Sequence, residues 1–103
     1  MIRNITLSLL ALILITAQAR QTNVRGRVVG GDGRTPYPSV TVTLLDANHN
    51  ARTVYTDRQG MFRIDAVAPG AYDLQITTPR TTKTFRVTAQ RREFTDLSPV
   101  SVP

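Results

Sequence analysis

Few side chains in this sequence are suited to covalent or acid–base chemistry. There is one histidine and no cysteine, which excludes thiol catalysis and cysteine-rich zinc sites. His49 lies in Asp46-Ala47-Asn48-His49-Asn50, a turn-like stretch, and reads as a solvated turn residue rather than a general base. A serine triad would need a partner for it, and nothing in the sequence nominates one. Asp32 and Asp57 lack the alternating Asp/Asn spacing of a calcium loop and are better read as turn caps. Gly30-Gly31-Asp32-Gly33 is followed by Arg34-Thr35-Pro36 and a strand. A phosphate loop would need a helix N-terminus there, so this is a flexible turn. The chain is therefore expected to be non-catalytic, with no metal ligand set and no cofactor.

Binding chemistry is better represented. Lys+Arg number 13 against 7 Asp+Glu, a formal net charge of +6, and nearly all the excess is arginine. Arg25, Arg27, Arg63 and Arg86 fall at outward strand positions and could form one basic face, with Arg91 and Arg92 beyond it. A guanidinium fork suits carboxylate and phosphate, and a basic face speeds association with anionic partners. The plainer alternative is that scattered arginines keep strand faces soluble and guard edges. Tyr37, held between Pro36 and Pro38, and Tyr55 are the rings that could stack on a sugar, although Tyr37 could equally cover one end of the fold. Phe62, Tyr72, Phe85 and Phe94 read as core or edge packing. Nucleic acid fits less well, because no aromatic-interleaved RNA motif is present.

These groups must be positioned by strands. Asp57-Arg58-Gln59-Gly60 and Ala68-Pro69-Gly70 are turn signals, each leading into strict apolar/polar alternation. Phe62 and Ile64 face one way and Met61, Arg63 and Asp65 the other; Tyr72, Leu74 and Ile76 repeat the pattern. Strands are expected over 22–29, 39–45, 52–56, 61–65, 71–77 and 82–89, with a weaker one over 93–97. Short, regularly spaced strands without a helical period after residue 19 argue an all-β, two-sheet antiparallel sandwich of about seven strands. Val24, Gly26, Val28, Val40, Val42, Leu44, Phe85 and Val87 should line its interior.

The arrangement resembles the carboxypeptidase regulatory-like domain family, related in fold to Cna-B repeats, transthyretin and the carbohydrate-binding-like fold. The resemblance runs from about Val24 to Val87. It is carried by Gly26-Arg27-Val28 with Asp32-Gly33, Pro38-Ser39-Val40-Thr41-Val42, Thr56-Asp57 to Gly60-x-Phe62, and Pro69-Gly70-x-Tyr72. It implies a spacer, scaffold or recognition module and leaves activity open. Hydroxyisourate hydrolases, similar to transthyretin, use several histidines and a Tyr-Arg-Gly-Ser ending, whereas this chain has one histidine and ends in Ser-Val-Pro. Cna-B-like adhesins can carry a Lys–Asn isopeptide bond from the first strand. Here that strand carries Arg25 and Arg27, and the only lysine is Lys83.

Residues 1–19 read as a cleaved signal peptide. Arg3 supplies the positive start, Ile5 to Ile15 is apolar apart from Thr6 and Ser8, and Ala17-Gln18-Ala19 offers a cleavage site. The apolar run is shorter than the roughly 20 residues a membrane span needs. The rest divides into a β-sandwich domain over 20–97 and an extended tail over 98–103, which Pro99 and Pro103 should keep partly free. The product is expected to be exported, periplasmic or secreted, as a structural or protein-interaction domain of the cell envelope. A carbohydrate-binding module using Tyr37 and Tyr55 is the alternative. Its expected partner is an envelope or extracellular protein, or an anionic glycan or lipid headgroup.

Overall fold

The computed structural model describes residues 21–103; the predicted leader, 1–19, lies outside them. Eight strands make up the fold: β1 Thr22–Val29, β2 Thr41–Leu45, β3 Ala51–Tyr55, β4 Met61–Val67, β5 Gly70–Thr77, β6 Thr82–Ala89, β7 Phe94–Asp96 and β8 Val100–Ser101. One sheet has the order β4-β1-β7, with β8 also on β1; the other has the order β3-β2-β5-β6. The expected sandwich is the observed one. Val24, Val28, Phe62 and Ile64 of the first sheet close against Val42, Leu44, Leu74 and Ile76 of the second, all buried. Tyr72, Phe85 and Val87 are only half-buried against this core. No helix among the described residues is long and apolar enough to cross a membrane.

The strands end where the backbone requires. The strand expected from residue 39 begins at Thr41, because Ser39 has φ +58°, a left-handed conformation that interrupts a pleat. β4 runs beyond the expected residue 65 to Val67. Its pairing with β1 shifts from Val24↔Ile64 to Thr22↔Val67, one extra residue on β4. Ala66 at φ +56° absorbs that bulge, and the Asn23 side-chain oxygen accepts its N–H at 3.1 Å. Alternation fails at the bulge, with Asp65 and Ala66 both exposed before Val67 is buried.

The first sheet is not wholly antiparallel. β7 and β8 both run parallel to β1, through Asn23↔Phe94 to Arg25↔Asp96 and through Val28↔Val100 and Val29↔Ser101. This corrects the expectation that 98–103 is a partly free tail. Val100–Ser101 form a strand, the Val102 N–H donates to the Val29 carbonyl at 2.9 Å, and the Val102 side chain is fully buried. Pro99 and Pro103 flank the pair, so neither removes a donor the ladder uses.

Two glycines fix the β1–β4 register. Gly26 lies opposite Phe62, whose ring covers it so closely that a Cβ would come within 2.4 Å of the ring. Gly60, at φ +75°, ends a turn in which the Asp57 carboxylate accepts the N–H groups of Gln59 and Met61, each at 2.9 Å. Its carbonyl accepts the Val28 N–H at 2.7 Å. The Asp46 loop repeats the device: its carboxylate accepts the N–H groups of Asn48 and Asn50 at 2.8 and 2.9 Å. There His49, exposed and at φ +64°, takes the place Gly60 has in the other turn. Among the described residues, every buried side-chain nitrogen or oxygen has a hydrogen-bond partner; the Thr22–Thr95 hydroxyl pair at 2.9 Å is one example.

Candidate functional site

The parity that buries Val24, Gly26 and Val28 turns Arg25 and Arg27 to the outer face of the first sheet. On β4 it exposes Met61 and Arg63, and on β7 it leaves Phe94 and Asp96 outside while Thr95 is buried. Register then sets Asp96, Arg25 and Arg63 in one row across β7, β1 and β4. Arg25 directly opposite Arg63 is a like-charge pair, which by itself is unfavourable. The neighbours offset it. Asp96 takes the Arg25 guanidinium in a two-point grip, Nε at 2.8 Å and Nη2 at 3.1 Å. Asp65 takes Arg63. The Phe94 ring receives both cations, Arg25 at 3.8 Å from its centroid and Arg63 at 5.3 Å. The Asp96 hydrogen bond is the main reason the Arg25 guanidinium is held even more firmly protonated than usual, and the same bond holds the Asp96 carboxyl below its ordinary range.

Arg27 differs. It lies one register step from this row, opposite Met61, and its Nε–H donates to the Gln59 carbonyl at 3.2 Å. Among the described residues it has no carboxylate partner. Beside it a shallow groove of about 410 Å³ runs between Arg25, Arg27, Met61, Asp96 and the Leu97–Pro99 connection. Met61 is 40% exposed, so the groove offers a guanidinium bound to no carboxylate among the described residues, next to apolar surface. Such a surface suits a carboxylate or phosphate carried on an apolar group.

Of the four arginines expected on one face, Arg25, Arg27 and Arg63 come together and Arg86 does not. Arg86 lies on β6 of the other sheet, where it pairs with Asp73 at 3.0 Å. Arg91 and Arg92 are exposed in the connection between β6 and β7. The two tyrosines also part in role. Tyr55 is 68% exposed on β3, while Tyr37 is half-buried against the core. The Tyr37 carbonyl accepts the Thr56 hydroxyl at 2.7 Å. Sequence reading missed Phe94 and Asp96 as members of the arginine row, because a three-residue strand shows too little alternation to place its faces. No group of three or more His, Asp or Glu side chains among the described residues is close enough to hold a metal ion.

Two facing sheets joined in this order define an all-β sandwich of the transthyretin and Cna-B type. The chain belongs to the carboxypeptidase regulatory-like domain family, whose model matches residues 23–100. No curated protein sequence matches it. Among solved structures, BcpA, the major pilin subunit of Bacillus cereus, superposes with a TM-score of 0.61 at 12% identity. That match covers 80% of this chain and 29% of the pilin, so the chain spans under a third of the pilin's length. The 5-hydroxyisourate hydrolase of Klebsiella pneumoniae gives 0.59 at 16% identity, covering 81% of this chain and 88% of the enzyme. A Bacteroides uniformis protein provisionally named as carbohydrate-binding gives 0.53 at 13% identity, covering 82% and 41% respectively. At such identities the likeness is one of fold alone.

Proposed function

We propose that this protein is an exported, non-catalytic interaction module of the cell envelope that grips an acidic segment of a partner protein on the outer face of its first sheet. The observation that carries this reading is Arg27, half-exposed beside Met61 and a groove, with no carboxylate partner among the described residues. Arg25 and Arg63, their charges balanced by Asp96 and Asp65, flank it as an ordered frame that leaves the unbalanced charge at Arg27. Such a frame steers an anionic partner with little ordering on binding. Membership of a family of accessory domains and the shared fold with a pilin subunit support the reading. The leader-like residues 1–19 support export.

The test expresses the full chain in a Gram-negative host, recovers the product from the periplasm or medium, and reads its N-terminus. Arg20 at the N-terminus of the product is the expected result; retention of Met1 in the cytoplasm overturns export. The recovered protein is then used to capture identified envelope proteins. Arg27→Ser should reduce capture about tenfold, the value of one charge-assisted contact. Unchanged capture by the Arg27→Ser and Arg63→Ser variants removes the face.

A second reading, glycan binding, rests on Tyr55. It is the one ring of the tyrosine pair that stands clear, and the fold is shared with the Bacteroides protein. With Tyr37 packed on the core the stacking platform is a single ring. Glycan titration should give at most weak binding that Tyr55→Ala abolishes.

A further inference from the structure

The four sheet edges are not equally protected. β4 is broken by the bulge at Ala66, and β3 is a five-residue strand packed beside β4. The β7–β8 edge is interrupted at Ser98-Pro99. β6 runs eight residues, Thr82–Ala89, in unbroken register with β5 and contains no proline. The Thr78 N–H donates to the Thr81 carbonyl at the hairpin turn. Antiparallel alternation from that bond turns the backbone N–H and C=O groups of Thr82, Thr84, Arg86 and Thr88 away from β5. Alongside lies a groove of about 470 Å³, with Phe85, Val87, Leu97 and Val100, all half-buried, as its apolar floor.

We infer that β6 is a receptor edge for an extended segment of a partner protein that alternates aliphatic and acidic residues. The aliphatic side chains fill the groove between β6 and the 97–101 segment, and the backbone pairs with the outward groups of β6. Charge selects the occupant. β6 carries no acid: Arg86 stands on the face opposite the groove, Lys83 on the groove side, and Arg91 and Arg92 follow the strand; Arg86 pairs with Asp73 of β5 but stays largely exposed. A second copy is disfavoured, because an antiparallel β6–β6 pair would lay two strands without an acid side by side and bring no carboxylate to either. This site lies on the other sheet's edge and meets the Arg27 groove only at Leu97 and Pro99.

The probe is a fluorescent peptide matched to β6 in length and alternating glutamate and valine, titrated into the exported full-chain product by anisotropy. Binding is expected, with the amides of Thr84, Arg86 and Thr88 slowed in hydrogen exchange. Methylating alternate peptide nitrogens should weaken it about tenfold or more, since the ladder is lost. Lysine in place of glutamate should do the same. Thr84→Pro removes an outward N–H without touching the β5 ladder and should block binding; Arg86→Ser, on the face that meets the acidic side chains, should weaken it if the proline variant fails to fold. No anisotropy change up to about 1 mM, equal binding of the methylated or lysine peptide, or protection of these amides by self-association alone overturns the inference. Arg27→Ser should leave peptide binding unchanged, so this site and the Arg27 face stand or fall separately.

Discussion

Single residues hold this fold by geometry more than by hydrogen-bond number. At Gly60 a side chain would meet the Val28 carbonyl oxygen at 2.4 Å and also sit at φ +75°. Gly60→Ala is therefore expected to lose about 2–4 kcal/mol in chemical denaturation. Asp32 shows a second kind of local control. The Thr35 hydroxyl, followed by the backbone N–H groups of Thr35 and Arg34, lowers its carboxyl pKa to about 2. A carboxyl depressed below its unfolded value contributes stability that is complete above about pH 4. That contribution is lost as pH falls through about 2. Carbon-detected titration should place the native midpoint there, and Thr35→Val should move it upward; a native midpoint near 4 would contradict the geometry.

At the level of strands, the last short elements matter as much as the long ones. Val102 is wholly buried although only two residues before it are in β8. Val102→Ser should lower stability by about 2 kcal/mol, read as an earlier denaturant midpoint with an unchanged slope. Alternation in the sequence gave the bounds of β1 and β6 to the residue and most of the core. It could not see β8, because Pro99 and Pro103 look like strand breakers until their positions outside the pair are known. It ended β4 early, because the extra residue at Ala66 reverses parity. It also placed Arg86 outward correctly, yet parity does not say in which sheet a strand lies, so a single four-arginine face was expected where two sheets divide the residues. Phe94 and Asp96, which complete the row around Arg25, become visible only once β7 is laid parallel on β1.

For the molecule as a whole, residues 20–103 carry 12 basic against 7 acidic side chains once Arg3 is set aside, and this excess of +5 sets how partners meet it. Capture through the Arg27 face should weaken as ionic strength rises from about 0.05 to 0.5 M and the screening length shortens. Salt-independent capture would place the contact on an apolar surface. The opening strand of the domain lies beside its closing strands and runs the same way. Tension drawing Thr22 and Val102 apart must slide these strands lengthwise, straining the Asn23–Glu93, Leu97–Arg25 and Val102–Val29 bonds at the same time. They cannot be peeled off one by one, so single-molecule stretching of the domain should record one abrupt, high-force rupture.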